Sequence, residues 1–309
     1  MIDSEKGNYD YLMFSDIEFR NPAVREELNK WIMWHMEKVP FDAVRLDAVK
    51  HISPKFYNEW LNKLRENSGK EIFAVGEYWA PGLLPLLLKY LEATEGNMSL
   101  FDSALQNNFH IASKEGSNYN LQNIFEETLT KAVPDKSVTL VDNHDTQPLQ
   151  SLEAPVEKWF KPIAYSLILL RQDGYPCIFY PDLFGANYKD TKDENEHEIF
   201  LDKVEELETL LHVRKTNAYG FQRDYFDDSN CIGWTREGDE NNSGCAVLIS
   251  NAHANSKHME IGKRYAGKTF IDILKKQEEE LVVSPEGWIE CKVMAGSVSI
   301  WVDKETVGM

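Results

Sequence analysis

Between residues 21 and 177, the chain alternates two kinds of hydrophobic pattern. Stretches with apolar residues three or four positions apart, the spacing of a helix with one buried face, are separated by short apolar runs of strand length. Asn21-Pro22 and Ser53-Pro54 each place a capping residue before a proline at the first helical position. Short strands that alternate with helices are typical of βαβ units, so this region predicts a parallel sheet.

The two capped segments predict helices, and the first is expected to bury a face that includes Trp31. Further helices are predicted around residues 83–91, 126–131 and 156–171. Strands are predicted at 41–47, 71–76, 99–102, 138–142 and 177–180. The charged run at 190–198 predicts a solvated loop.

The pattern changes near Tyr219. Segments rich in β-branched and aromatic residues follow, split by Asn, Asp and Gly turns, at 231–235, 245–250, 269–273 and 297–302. This predicts a small antiparallel β-sandwich. The domain boundary is placed between residues 217 and 218.

Net charge and cysteine content restrict the partners and the compartment that the sequence predicts. The formal net charge of −18 argues against nucleic acid as a partner, because a polyanion is repelled at long range. It suits a neutral substrate or a hard cation, although acidity that serves solubility alone gives the same balance. The four cysteines form no CxxC pair; they predict buried thiols and a reducing compartment, the cytoplasm. No signal peptide and no membrane-spanning stretch is expected.

Three of the predicted parallel strands end on acidic residues, Asp47, Glu77 and Asp145. In a parallel barrel the functional residues lie at the carboxyl ends of the strands, so these acids are expected to converge. Converging carboxylates suit glycoside hydrolysis, which needs a nucleophile and a proton donor. Any one of them alone is equally explained as a solvated cap or loop residue.

The segments around these acids resemble three signatures of the α-amylase family. They are 42–51 (DAVRLDAVKH), 74–79 (AVGEYW) and 141–145 (VDNHD). Residues 7–13 and 159–162 resemble its bacterial liquefying branch, and 146–155 are most similar to its intracellular members. The similarity extends over nearly the whole chain.

The resemblance implies a retaining mechanism with Asp47 as nucleophile, Glu77 as general acid/base and Asp145 as stabiliser of the transition state. It also implies substrate-binding roles for five residues. Arg45 would keep the nucleophile ionised, and His144 would bond the sugar beside Asp145. Lys50 and His51 would line the reducing-end subsites, and Tyr78 would offer a ring face to glucose. Trp79 could do the same or simply pack in the core.

A calcium site is implied as well. Asp10 and Asp16 match calcium-binding positions of these relatives, with the backbone carbonyl of His51 as a further oxygen ligand. Hard oxygen donors suit Ca²⁺. Residues 1–20 would then be the remnant of a calcium-binding insert domain.

The implied fold is a (β/α)8 TIM barrel, of which residues 21–217 supply the last five strands, followed by the β-sandwich at 218–309. The first three strands are expected to precede residue 1. Open sheet edges invite pairing with another chain, so self-association is expected there.

The implied activity is endohydrolysis of α-1,4-glucosidic bonds in starch, glycogen or maltodextrin, the α-glucan partners of the chain. Two alternatives stay open. One is an incomplete paralogue that binds glucan or a partner chain without catalysis. The other is transglycosylation, in which a sugar replaces water as the acceptor.

Overall fold

The structure, a computed structural model, describes residues 17–192 and 194–307. The chain forms two compact units. One contains the residues up to Ala104 together with Glu127–Val138, and the other contains Leu105–Glu126 and the residues from Thr139 onward.

The first unit alternates helices and strands as the sequence predicts. Its elements are α1 (Pro22–Lys38), β1 (Ala43–Leu46), α2 (Pro54–Ser68), β2 (Phe73–Gly76), α3 (Leu84–Ala93), β3 (Ser99–Phe101), α5 (Leu129–Ala132) and the start of β4 (Ser137–Thr139). Helix α4 (Ser103–Glu115) begins in this unit and continues in the other.

Both predicted helices are confirmed, but the Ser53 side chain makes no capping hydrogen bond. The Asn21 side chain accepts a hydrogen bond from the amide of Ala23, which satisfies one of the donors exposed at a helix start. Helix α2 ends at Gly69 in the left-handed conformation that glycine adopts without strain. The prediction of a buried face is right for α2 but wrong for Trp31 of α1, which is 48% exposed.

The strands of this unit pair in parallel and in chain order. β1 pairs with β2 from Ala43 opposite Phe73 to Leu46 opposite Gly76, and β2–β3 and β3–β4 are also parallel. With β5 (Tyr175–Pro176), the sheet has the order β1-β2-β3-β4-β5. Five successive strands with intervening helices confirm the partial barrel.

The second unit contains the rest of the barrel segment and the C-terminal domain. Its remaining elements are α6 (Lys161–Leu170), α7 (Tyr180–Phe184), β6 (Ala186–Lys192), β7 (Asn195–Leu201), α8 (Leu207–Thr216), β8 (Gln222–Tyr225), β9 (Cys231–Arg236), β10 (Cys245–Ser250), β11 (Asn255–Glu260), β12 (Thr269–Asp272), β13 (Leu281–Val282), β14 (Trp288–Val293) and β15 (Ser297–Asp303).

The C-terminal domain is antiparallel, as predicted. Six strands form one sheet in the order β13-β12-β15-β10-β9-β8, and β11 pairs with β14 in a second sheet. Every residue of β9 and β10 is buried, because these strands lie in the interior of the larger sheet. Helix α6 is buried from Ile163 to Leu170 and joins the same hydrophobic core.

Two expectations about local structure are wrong, and one helix was not predicted. The charged run at 190–198 is not a loop: β6 and β7 pair as an antiparallel hairpin from Ala186 opposite Leu201 to Lys192 opposite Asn195. Cross-strand pairs, such as Lys189 with Glu196, stabilise a hairpin that has no strongly apolar face.

Helix α4 was not predicted, although Leu105, Phe109 and Ala112 are fully buried at helical spacing. The last parallel strand lies earlier than predicted, so Cys177 follows it and is exposed. The other three cysteines are buried thiols. None of the helices in the described part of the chain is long and apolar enough to cross a membrane.

Candidate active site

Asp47 and Glu77 follow directly after two neighbouring strands. Leu46 and Gly76 are register partners at the ends of β1 and β2, so the two acids occupy equivalent places. The ladder continues beyond the strands, since the amide of Glu77 donates to the carbonyl of Leu46 at 2.9 Å and the amide of Val49 donates to the carbonyl of Glu77 at 3.0 Å. Backbone pairing therefore fixes both acids at the carboxyl end of the sheet.

Arg45 contacts both carboxylates. Its Nη1 lies 2.8 Å from Asp47 Oδ1 and its Nη2 lies 3.2 Å from Glu77 Oε2. The environments of the two acids differ: the Asp47 side chain is 73% exposed, whereas that of Glu77 is 9% exposed. One carboxylate is open to solvent and the other is enclosed beside a shared cation, which gives the two acids unequal chemical surroundings.

The backbone between these acids is held in an unusual conformation. Ala48 has a φ of 46°, in the left-handed region that non-glycine residues seldom adopt. Its amide donates to Glu77 Oε2 at 3.2 Å. Gly76 is also constrained, because a Cβ there would lie 2.8 Å from the sulfur of Met98. Both residues shape the strand ends on which the acids sit.

The other candidates of the first unit occupy varied positions. Lys50 donates through Nζ to the carbonyl of Trp79 at 3.3 Å, and His51 is exposed at the end of a short 3-10 helix. Tyr78 is 3% exposed, and its ring packs against Tyr90 with centroids 5.0 Å apart. Trp79 is 7% exposed. The burial of both rings favours packing over contact with a sugar, and their contact with glucose stays a prediction.

Asp145 and His144 lie in the second unit, on the turn that follows β4. His144 Nε2 is 3.5 Å from Asp145 Oδ2, and the two side chains are 62% and 30% exposed. The turn is closed by Asn143, whose Oδ1 accepts hydrogen bonds from the amides of Asp145 and Thr146 at 2.9 and 2.8 Å. The amide of Asn143 in turn donates to Thr146 Oγ1 at 2.9 Å.

A buried charge cluster lies behind this turn. Lys161, the first residue of α6, places Nζ 2.8 Å from Asp142 Oδ2 and 2.5 Å from Asp182 Oδ1. Tyr165 donates its hydroxyl to Asp182 Oδ2 at 2.6 Å. The side chains of Asp142, Asp182 and Lys161 are 2%, 1% and 13% exposed. We call this set the Lys161 cluster.

Burial and charge act in opposite directions in the Lys161 cluster. Burial raises the pKa of Asp142 to about 6, against the opposing attraction of Lys161. Burial alone would lower the pKa of Lys161, but the two carboxylates outweigh it and the pKa is raised. Burial also raises the pKa of the Tyr165 hydroxyl well above its usual value. The lysine is therefore the charged centre of the cluster.

The cluster ties together segments that are distant in sequence. Asp142 Oδ1 accepts from the amide of Val156 at 3.2 Å and lies 3.4 Å from the hydroxyl of Thr146, the residue that follows Asp145. Asp182 belongs to α7, after β5. Sequence reasoning did not identify the cluster. The only local signal was an acid at the end of the apolar run 138–142, and nothing in the sequence linked it to Lys161 or Asp182.

The candidate calcium ligands are only partly described. Asp10 and Asp16 lie outside the described residues, and His51 is the one ligand of the predicted set that can be placed. Within 17–192 and 194–307, no three His, Cys, Asp or Glu residues come together as a metal site. The calcium site therefore stays a prediction.

Comparison with known proteins identifies the family. The model of the α-amylase catalytic domain matches residues 3–237, and that of the α-amylase C-terminal domain matches 245–302. The chain belongs to the α-amylase family. It is 45% identical to the cytoplasmic α-amylase of Escherichia coli K12 over 99% of its length, and 45% identical to the α-amylase of Bacillus licheniformis over 98%.

The chain spans 62% of the E. coli α-amylase and 58% of the B. licheniformis enzyme. Among solved structures, it is similar to an Anoxybacillus α-amylase, with a TM-score of 0.71 over 96% of this chain and 66% of that one. Their sequence identity is 17%, so this likeness supports the fold. The family assignment and the fold both agree with the resemblance seen in the sequence.

Proposed function

We propose that the chain contributes the catalytic carboxylates of an α-amylase, which cleaves α-1,4-glucosidic bonds inside starch, glycogen and maltodextrins with retention of configuration. The observation on which this rests is the arrangement of Asp47 and Glu77 at equivalent ends of adjacent parallel strands, bridged by Arg45. Retaining hydrolysis uses two carboxyl groups in unequal environments, which these acids have.

In this proposal the exposed Asp47 attacks the anomeric carbon, and Arg45 pairs with its carboxylate. Glu77 gives its proton to the departing glycosidic oxygen, then removes a proton from the water that hydrolyses the glycosyl-enzyme. Asp145, with His144, binds sugar hydroxyls as positive charge develops on the ring. Lys50, His51 and Tyr78 complete the proposed substrate-binding set.

The test is hydrolysis of a chromogenic maltoheptaoside by the purified chain. Glu77→Gln and Asp47→Asn should each reduce turnover by at least about 1,000-fold, since members of a catalytic set act as a unit. Asp42→Asn is the matched control, because Asp42 is an exposed acid of the same segment that pairs with Lys70. Full activity in Glu77→Gln would refute the assignment, and chromatography of the products would separate hydrolysis from transglycosylation.

The alternative is a module that binds glucan or a partner chain without turnover. The observation that favours it is that β1 lies at one edge of the five-stranded parallel sheet. Self-association through this edge is part of the alternative. Size-exclusion chromatography with an activity assay on each fraction distinguishes the two, because turnover that Asp47→Asn abolishes is incompatible with a binding module.

We further propose a calcium site formed by Asp10, Asp16 and the carbonyl of His51. Bound calcium would link Asp10 and Asp16 to His51 and supply no chemical step. A ligand bound only by the folded state stabilises it, so chelation should lower the melting temperature. The named relative in E. coli supports a cytoplasmic location. The division into residues 1–20, 21–217 and 218–309 stays a prediction.

A further inference from the structure

The second unit contains a cavity whose charged side chains are all cationic. Its volume is about 430 Å³, and it is lined by three arginines and a lysine: Arg171, Arg214, Lys215 and Arg236. None of the described residues that line it is acidic, although the chain as a whole has a formal net charge of −18. Cavities of about 300–1,000 Å³ with a few convergent polar groups are typical of small-molecule sites.

Helix and strand ends position these four cations. Arg171 directly follows α6, Arg214 and Lys215 lie in the last turn of α8, and Arg236 ends β9. Arg214 Nη1 donates to the carbonyl of Leu169 at 2.6 Å. The last turn of α8 therefore lies beside the last turn of α6, and the cavity lies where these two helices end.

Arg171 is already paired. Its Nη1 and Nη2 donate to the two carboxylate oxygens of Asp224 at 2.6 and 2.9 Å. Its guanidinium carbon lies 4.9 and 5.1 Å from the ring centroids of Phe125 and Phe226. A bidentate pair of this kind holds the guanidinium in place and balances its charge. Arg171 therefore forms a wall of the cavity and leaves little positive charge for a ligand.

The other three cations have no acidic partner. Arg214, Lys215 and Arg236 form no ion pair with a carboxylate in the part of the chain that the structure describes. The two arginines each donate one side-chain hydrogen bond, to a backbone carbonyl, which for Arg236 is that of Gly220 at 3.2 Å. A guanidinium has five N–H donors, so most of them remain available. Arg236 is only 7% exposed, and an unpaired buried charge is costly.

The carboxyl ends of α6 and α8 offset part of this charge. Each helix end carries about −0.5 of an elementary charge, and cations in the last turn of a helix are favourable for this reason alone. Three unpaired cations exceed two such ends by about two charges. Burial lowers the pKa of Arg236, and the neighbouring charges of Arg171 and Arg214 lower it further. An anion with a charge near −2 would balance the excess that the helix ends leave.

We propose that this cavity binds the phosphate group of a small molecule, either inorganic phosphate or a phosphate monoester, through Arg214, Lys215 and Arg236. A phosphate monoester carries about −1.5 to −2 charges near pH 7, which matches the excess. Its oxygens also suit the planar fork of a guanidinium, which can donate two parallel hydrogen bonds. A nucleic acid is excluded as the source of the phosphate, because the acidic chain repels an extended polyanion at long range. Bound phosphate would connect the end of α8 to the end of β9.

Isothermal titration calorimetry of the whole chain tests the site, with inorganic phosphate and glucose 6-phosphate as probes at constant ionic strength. Phosphate should bind in one or both forms, and glucose should not, because the neutral sugar lacks the charged group. Tighter binding of glucose 6-phosphate identifies a monoester as the ligand, and equal or tighter binding of inorganic phosphate identifies the free ion. Absence of binding by both probes overturns the proposal.

Substitutions of the unpaired cations should weaken binding of the tighter probe. Arg214→Gln should weaken it about tenfold or more, since charge-assisted hydrogen bonds are lost with the guanidinium. Arg214→Lys should have intermediate affinity, because it keeps the charge and loses the planar fork. Lys215→Gln should weaken binding about threefold. Lys215 is exposed, so its variant tests the site even if changes at Arg214 impair folding.

Arg264→Gln is the matched control. Arg264 is exposed, does not line the cavity, and donates to a backbone carbonyl, that of Asp239 at 2.7 Å, as Arg214 donates to that of Leu169. This variant should bind phosphate like the unmutated chain. Unchanged affinity in Lys215→Gln overturns the proposal. The same weakening in Arg264→Gln also overturns it, since phosphate would then be attracted diffusely to surface cations. None of these measurements uses glucan cleavage, so their result is independent of the proposed function.

Discussion

Two sets of side chains in this molecule have the same composition, one cation between two carboxylates, and different surroundings. Arg45 lies between Asp47 and Glu77 with 39% of its side chain exposed, whereas Lys161 lies between Asp142 and Asp182 with 13% exposed. The first set leaves a carboxylate open to solvent. In the second set the charged groups pair with one another, and the pairs connect three segments of the chain. Exposure, more than composition, separates a candidate reaction site from a structural anchor.

The largest expected difference between the two sets is in stability. Lys161→Met should lower the free energy of unfolding by about 3–5 kcal/mol, because it leaves two buried carboxylates without their cation. Arg45→Met should cost less, about 1–2 kcal/mol, since solvent screens its pair with Asp47 and only Glu77 is enclosed. Urea denaturation of the two variants measures both values. Equal losses would show that the comparison is wrong.

The same contrast explains what the sequence could predict. Asp47 and Glu77 come directly after apolar runs, and a parallel strand brings such ends together, so their location followed from local pattern alone. The Lys161 cluster joins residues 19 and 21 positions apart (142, 161 and 182). No local periodicity encodes a pairing across that separation, and only the folded backbone reveals it.

Prediction also failed for two strands that have no buried residue. Strands β6 and β7 have mostly exposed or half-buried residues on both faces, so the hydrophobic alternation that identifies strands is absent. Helix α4 is the opposite case: its buried face has ordinary helical spacing and was identifiable. Exposure of Trp31 and Cys177 could not be read from the sequence, because both are apolar residues in apolar contexts whose burial depends on distant elements.

Titration of the buried set gives the next largest effect. The folded-state pKa of Asp142, about 6, exceeds the ordinary value near 3.8. Between these values the folded chain binds the proton and the unfolded chain does not, so stability falls as pH rises through this window. Relative to Asp142→Asn, the unmutated chain should lose about 2 kcal/mol between pH 4 and pH 6.

Asn is the matched substitution, since it keeps the shape of Asp142 and an oxygen that accepts from Val156. Urea denaturation of both chains at several pH values gives the difference directly. A difference that stays constant, or that favours the unmutated chain as pH rises, would mean that Lys161 holds Asp142 ionised throughout.

The smallest effect concerns the link between the buried set and the turn that contains Asp145. Thr146 is fully buried, and its hydroxyl accepts from the amide of Asn143. Thr146→Val keeps the shape of the side chain but leaves that amide without its partner, which should cost about 1 kcal/mol. Thr146→Ser keeps the hydroxyl and loses a methyl group. Exchange of the Asn143 amide with deuterium should therefore be faster in Thr146→Val than in Thr146→Ser. The reverse order would show that Thr146 holds the turn by packing. The Lys161 cluster would then connect Asp142 to Val156 without fixing the turn that contains Asp145.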